Sequence, residues 1–210
     1  MLPQGVQLVA VSKFHPVSAI YEAYEAGQRI FGESRVQELV EKISKLPDDI
    51  SWHFIGHLQT NKVRNLIGKA SLIESVDSER LISIIDEESR KKDTVSRVLL
   101  QVHVAREETK FGFYPEEILN YFKEKKFERL THTHISGIMA MASNTEDEKL
   151  VRNDFKRAAG VFFEIKEMLG EELRGFDTLS MGMSGDWPIA VEEGSNMIRV
   201  GSAIFGERKY

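Results

Sequence analysis

A lysine that directly follows a short apolar run is the first residue of this sequence that could carry out chemistry. The stretch 6–13 reads Val-Gln-Leu-Val-Ala-Val-Ser-Lys, with Pro3 before it and Pro16 after it. Such a valine-rich run predicts a strand buried on both faces, which is typical of a parallel sheet covered by helices. Lys13 then lies at the carboxyl end of the strand, where barrels and open α/β sheets build their sites. Its amine, partly removed from water, would be a nucleophile for a carbonyl group; the alternative is a lysine that only extends into solvent at the rim.

Two glycine-containing stretches near the end of the sequence predict an anion site. They are residues 180–186 and 199–206, and each begins at the end of an apolar run that predicts a strand. Glycines let backbone N–H groups approach a ligand closely, and barrels commonly bind phosphate after their seventh and eighth strands. We expect Gly201 and Ser202 to open the last helix, so that their amides favour an anion, and Ser184 to donate its hydroxyl. The alternative is a pair of turns that only close the fold.

A phosphate site and a strand-end lysine at the same mouth together fit a phosphorylated aldehyde. Pyridoxal 5′-phosphate (PLP) has both groups: Lys13 would form a Schiff base with the aldehyde, and the two glycine-containing stretches would hold the phosphate. Arg199, at the end of the last predicted strand, would contact the pyridine nitrogen. Because arginine stays protonated, this contact would leave the nitrogen unprotonated and make the ring a weaker electron sink than an aspartate would.

Eight short apolar runs that alternate with helical patterns predict the elements that position these residues. The predicted strands are residues 6–13, 29–32, 51–55, 71–76, 96–104, 131–135, 177–180 and 197–200. Polar clusters follow the strands and do not precede them, which indicates a site at one mouth. The pattern predicts a single α/β domain over residues 1–210, a closed (β/α)8 barrel of the TIM type.

Composition excludes several classes of protein. The 210 residues contain no cysteine, which rules out disulfides and thiolate chemistry and fits a cytoplasmic protein. The net charge of −5 comes without a basic stripe, so we expect no nucleic-acid partner. No apolar run approaches the ~20 residues of a membrane span, so we expect no membrane partner. His132 and His134 alternate along one predicted strand without a third ligand nearby, so we expect no metal.

Five motifs in sequence order resemble the pyridoxal phosphate homeostasis proteins, which are single-domain relatives of the alanine racemase barrel. The motifs are residues 8–13, 31–33, 53–62, 180–184 and 199–206, and the resemblance extends throughout the chain. It implies the following cofactor contacts: Lys13 as the Schiff-base lysine, Ser184, Gly201 and Ser202 on the phosphate, and Arg199 near the pyridine nitrogen. Asn61 and Met139 fall on matching motif positions and are expected to approach the ring.

The sequence departs from the family pattern at two places. Family members usually carry asparagine where Ser34 stands, so a contact of that amide must here be made by a shorter hydroxyl or by water. Relatives also begin with a helix before the first strand, whereas this chain begins almost at the strand. We therefore expect either a truncated start or a member that lacks this helix.

Two functions on this cofactor remain open: a carrier and an enzyme. Two-base racemisation needs an acid/base group on each side of the substrate α-carbon, and in alanine racemases a tyrosine from a separate β-domain provides the second. This sequence ends at Tyr210, right after the predicted barrel. We therefore predict a non-catalytic PLP-binding protein of vitamin B6 homeostasis, monomeric or weakly dimeric, with apo PLP-dependent enzymes as recipients. An amino-acid racemase is the alternative, and a sugar-phosphate barrel enzyme with a lysine Schiff base is a third class.

Overall fold

Eight parallel strands close into a barrel in the computed structural model, which describes residues 2–107 and 110–206. The strands are β1 (Gln7–Val11), β2 (Ile30–Glu33), β3 (Ser51–Phe54), β4 (Leu72–Val76), β5 (Ser96–Val102), β6 (Thr133–Ala140), β7 (Thr178–Ser180) and β8 (Met197–Val200). Each strand pairs with its neighbours in sequence, and β1 also pairs with β8, which closes the ring. The predicted (β/α)8 fold is confirmed. Residues 108 and 109 of the polar loop after β5, and the terminal Tyr210, lie outside the described residues.

A helix follows each strand and covers the outside of the barrel. The helices are α1 (Val17–Glu25), α2 (Val36–Ile43), α3 (Val63–Leu66), α4 (Glu79–Lys91), α5 (Pro115–Lys123), α6 (Glu148–Leu169), α7 (Trp187–Glu192) and α8 (Ser202–Phe205). Ser78 caps α4, because its side chain accepts a hydrogen bond from the N–H of Leu81. Helix α7 is six residues long. None of the helices in the described ranges is long and apolar enough to cross a membrane.

The core has two layers because alternate residues of each strand face opposite sides of the barrel wall. The larger layer lies between the strands and the helices, and the stripe of α6 that includes Phe155 and Phe162 packs into it. The smaller layer fills the barrel interior and consists of Val9, Leu72, Leu99, Met139 and Met197. This interior layer gives the site at the mouth a packed support.

Strand β6 continues beyond the predicted end at residue 135, through Gly137 to Ala140. Gly137 lets the strand continue because it has no side chain. A Cβ at Gly137, where φ is 151°, would lie 1.8 Å from the carbonyl oxygen of Thr178 on β7. The pairing register with β5 also shifts at this level, between Val98 and Leu99. The predicted strand was therefore too short, and Met139 lies inside β6 and not after it.

Candidate functional site

A cavity of about 290 Å³ lies at the mouth of the barrel, where the carboxyl ends of the strands meet. Five of the seven predicted site residues line it: Lys13, Ser184, Arg199, Gly201 and Ser202. The other lining residues are Val11, His15, Ile55, Met141, Met183, Gly185 and Gly206. The fold thus brings a lysine that follows β1 together with the residues that follow β7 and β8.

The stretches after β7 and β8 form one wall of this cavity, which we call the cradle and define as Ser184, Gly201 and Ser202. The N–H of Gly201 donates to Oγ of Ser184 at 3.2 Å, so the two stretches contact each other directly. A Cβ at Gly201 would lie 3.2 Å from the carbonyl oxygen of Val11, tighter than most contacts of this kind. Backbone amides and hydroxyls without a bulky side chain between them suit the oxygens of a phosphate group.

Arg199 forms part of the cavity wall and is itself 4% exposed. Its Nη2 donates to the carbonyl oxygen of Ala140 at 3.0 Å, and its Nη1 donates to Oγ of Ser180. Burial lowers the pKa of this guanidinium from its ordinary value, and the nearby carboxylate of Glu74 opposes that shift. Two hydrogen bonds on different nitrogens fix the plane of the guanidinium, which is the requirement for a directed contact with a ring nitrogen.

Sequence reasoning missed the buried polar cluster behind Arg199, which consists of His53, Glu74 and Ser180. Glu74 is fully buried on β4, and its Oε1 lies 2.7 Å from Nδ1 of His53. Burial raises the pKa of Glu74, but the hydrogen bond and charge of His53, with help from Arg199 and Ser180, shift it below its usual value. A carboxylate within the predicted strand 71–76 was the available signal, because such groups are almost never buried unpaired.

Asn61 and Met139 do not line the cavity. Asn61 is exposed in the short 3₁₀ turn Thr60–Lys62, and Met139 packs in the barrel interior with 1% exposure. Met141 lines the cavity instead, two residues further along the chain and hence on the same side of the wall. The expected contacts of Asn61 and Met139 with the ring remain predictions.

The loop after β5 is joined to the loop after β6 by Glu107 and Lys110. Oε1 of Glu107 accepts the N–H of Asn144 at 2.8 Å, and Nζ of Lys110 donates to the carbonyl oxygen of Ala142 at 2.6 Å. Hydrogen bonds from the backbone N–H groups of Asn144 and of Glu107 itself, together with the nearby ammonium of Lys110, lower the pKa of Glu107 to about 2. These contacts hold one side of the barrel mouth together.

Comparison with known proteins places this barrel in a class. The family described as "Alanine racemase, N-terminal domain" matches residues 1–209. An alanine racemase of Clostridium difficile superposes with a TM-score of 0.74 over 100% of this chain and 57% of its own, at 14% sequence identity. At that identity the likeness concerns the fold alone, so the class is that of the alanine racemase N-terminal barrels.

Relatives of higher identity define the family within this class. A pyridoxal phosphate homeostasis protein of Haemophilus influenzae is 39% identical over 98% of this chain and 86% of its own length. Another from Aquifex aeolicus is 40% identical over 97% and 88%. The structure of PipY from Synechococcus elongatus with PLP bound superposes with a TM-score of 0.87 at 37% identity, covering 98% of this chain and 95% of that one. The chain belongs to the family of pyridoxal phosphate homeostasis proteins, as its motifs predict.

Proposed function

We propose that this protein binds PLP in the cavity at the barrel mouth and serves PLP homeostasis. The observation that carries the proposal is the cavity itself, in which Lys13 shares one space with the cradle and Arg199. The homologous PipY has been solved with PLP bound, and relatives across nearly the whole chain are named for PLP homeostasis. Both findings support the same ligand for this site.

Each group of the cavity has one task in this proposal. The Ser184 hydroxyl accepts from Gly201 and still carries a proton that it can donate to a phosphate oxygen, while Ser202 adds a second hydroxyl. The guanidinium of Arg199 is oriented by Ser180 and Ala140 and donates to the pyridine nitrogen. Lys13 supplies the amine. PLP, when bound, contributes an aldehyde that condenses with a lysine amine to a C=N bond with loss of one water.

We further propose that the protein is a carrier and not a robust catalyst. Arginine stays charged, so the pyridine nitrogen that it contacts remains unprotonated and the ring accepts electrons poorly. The recipients in this proposal are apo forms of PLP-dependent enzymes, and the protein acts in the cytoplasm as a monomer or weak dimer.

Two assays on the purified protein distinguish a carrier from an enzyme. The loaded protein is mixed with alanine and, separately, with an apo PLP-dependent enzyme, and racemisation and recovered activity of the recipient are followed. We expect the recipient to gain activity while alanine keeps its configuration. Racemisation at an ordinary enzymatic rate, of about 1 s⁻¹ or faster, would overturn the carrier proposal.

A further inference from the structure

A buried ionic cluster lies against the turn that carries Lys13. The ammonium of Lys42, on α2, contacts Oε1 of Glu33 at 2.7 Å and Oε1 of Glu38 at 2.6 Å. It also donates to the carbonyl oxygen of Ser12 at 2.9 Å. The side chains of Lys42 and Glu33 are 6% and 0% exposed. We call Glu33, Glu38 and Lys42 the clamp.

The clamp holds the chain on both sides of Lys13. Before the lysine, the hydroxyl of Ser12 donates to Oε1 of Glu33 at 2.6 Å, in addition to the contact of the Ser12 carbonyl with Lys42. After it, the N–H of Phe14 donates to Oε1 of Glu38 at 2.7 Å. Both chain neighbours of Lys13 are therefore fixed by the same three charged side chains.

The backbone that the clamp holds is strained. Phe14 has a φ of 68°, in the left-handed region that an aromatic residue rarely adopts. The N–H of His15 donates to the carbonyl oxygen of Ser12 at 3.1 Å, so a tight turn closes around Lys13. Such conformations persist only where the surrounding contacts enforce them, and they concentrate at functional sites. The clamp supplies these contacts.

Stability alone does not account for the clamp. Apolar side chains of similar volume commonly stabilise a core as well as a buried ion pair does. Within the described residues, Oε2 of Glu33 is buried and has no hydrogen-bond partner, which is a further cost. Burial also raises the pKa of Glu33, against the opposing hydrogen bonds from Lys42 and Ser12. Charged groups kept here at such cost indicate a role in the geometry of the turn.

We propose that Glu33, Glu38 and Lys42 are positioning residues that hold the amine of Lys13 in the direction required for attack on the aldehyde of PLP. This inference rests on the proposed function. The clamp acts through the Ser12–Phe14 backbone, so it affects the covalent step and leaves phosphate and ring binding to the cradle and Arg199. Misplacement of a reacting group by about 1 Å can slow a reaction by up to about a hundredfold.

The test compares Lys42→Met with Lys45→Met. Lys45 is an exposed lysine in the turn after α2, and among the ion pairs of the described chain it pairs only with Glu41. Two quantities are measured in each protein: the rate of covalent bond formation with PLP, and the affinity for pyridoxine 5′-phosphate, which has no aldehyde. We expect Lys42→Met to slow bond formation about tenfold or more while the affinity for pyridoxine 5′-phosphate is unchanged. Lys45→Met should match the unsubstituted protein in both.

A second pair of variants decides the matter if Lys42→Met does not fold. Glu38→Gln keeps an oxygen that can accept the N–H of Phe14, whereas Glu38→Ala does not, so the alanine variant should react slowly and the glutamine variant should recover most of the rate. An unchanged rate of bond formation in Lys42→Met would overturn the inference, and Glu38→Ala takes its place if Lys42→Met does not fold. A loss of pyridoxine 5′-phosphate affinity as large as the loss of rate would also overturn it. If the unsubstituted protein itself forms no bond with PLP, the proposed function fails instead.

Discussion

The carboxylate of Glu74 lies 3.7 Å from Nη1 of Arg199, and both side chains are buried inside the barrel. Ser180 joins them, since its hydroxyl donates to Oε2 of Glu74 at 2.6 Å and accepts from Arg199. On its other side, Glu74 is held by His53. A cavity residue is thus oriented by a carboxylate that does not line the cavity, so the direction of the Arg199 guanidinium depends on the barrel interior.

Glu74→Gln should destabilise the protein strongly. The substitution keeps the volume of the side chain but removes the carboxylate charge 3.7 Å from the buried guanidinium of Arg199, and breaking a buried pair typically costs roughly 3–5 kcal/mol. Urea denaturation measures the free energy of unfolding. The control is Glu87→Gln on α4, which removes an exposed partner of Lys91 and should have no measurable effect. Equal midpoints for the two variants would show that Glu74 does not stabilise Arg199.

Arg199→Glu separates a carrier from a catalyst, but the structure shows that it must be made together with Glu74→Gln. Alone, it would place two buried carboxylates side by side, which cannot both ionise. In the double variant we expect weaker PLP binding than in Glu74→Gln, and faster exchange of the alanine α-proton in deuterated water, because the ring nitrogen can now be protonated. Identical binding and exchange in the two proteins would mean that Arg199 does not contact the ring.

Ser184→Ala should weaken PLP binding by about 0.5–1.5 kcal/mol, since it removes one hydrogen-bond donor from the cradle. A charge-assisted bond to the phosphate would give a larger loss. Equilibrium dialysis with PLP and with pyridoxal, which has no phosphate, distinguishes the cradle from a general effect. Only PLP should lose affinity. If the unsubstituted protein bound both compounds equally, the cradle would not be a phosphate site.

Glu107→Gln should reduce stability at neutral pH and have little effect in acid. The pKa of Glu107 is lowered to about 2 in the folded protein, so the folded state favours the ionised carboxylate. That contribution is fully present above the unfolded pKa, near 4.3, and is lost as the pH falls through about 2. Denaturation at a series of pH values should show that the free energies of unfolding of the two proteins become equal as the pH falls between these limits. A constant difference across this range would contradict the assignment.

The barrel and five of the cavity residues could be predicted from the sequence because each depends on local pattern. A buried valine-rich strand places Lys13 at its end, and glycines after the last two strands permit the close contact of Gly201 with Ser184. Parallel strands bring these ends together at one mouth whatever the details of packing. Predictions of this kind need no knowledge of which side chains touch.

The remaining features depend on contacts between residues that are distant in sequence. Lysines are almost never fully buried unless they are paired, and Lys42 on α2 is buried because Glu33 and Glu38 surround its ammonium group. Glu74 is buried because His53 and Arg199 reach it from other strands. Strand β6 was predicted too short because the effect of Gly137 depends on the carbonyl of Thr178 on the adjacent strand.

The visible absorbance of the protein mixed with PLP tests most directly whether Lys13 holds the cofactor. We predict a band typical of a protonated Schiff base in the unsubstituted protein, in Lys62→Ala and in Lys110→Ala. In the native chain the amine of Lys110 donates to the carbonyl oxygen of Ala142. Lys13→Ala should lose the band but still bind PLP through the cradle, as equilibrium dialysis would show. An unchanged band in Lys13→Ala, or its loss in Lys62→Ala or Lys110→Ala alone, would contradict the account.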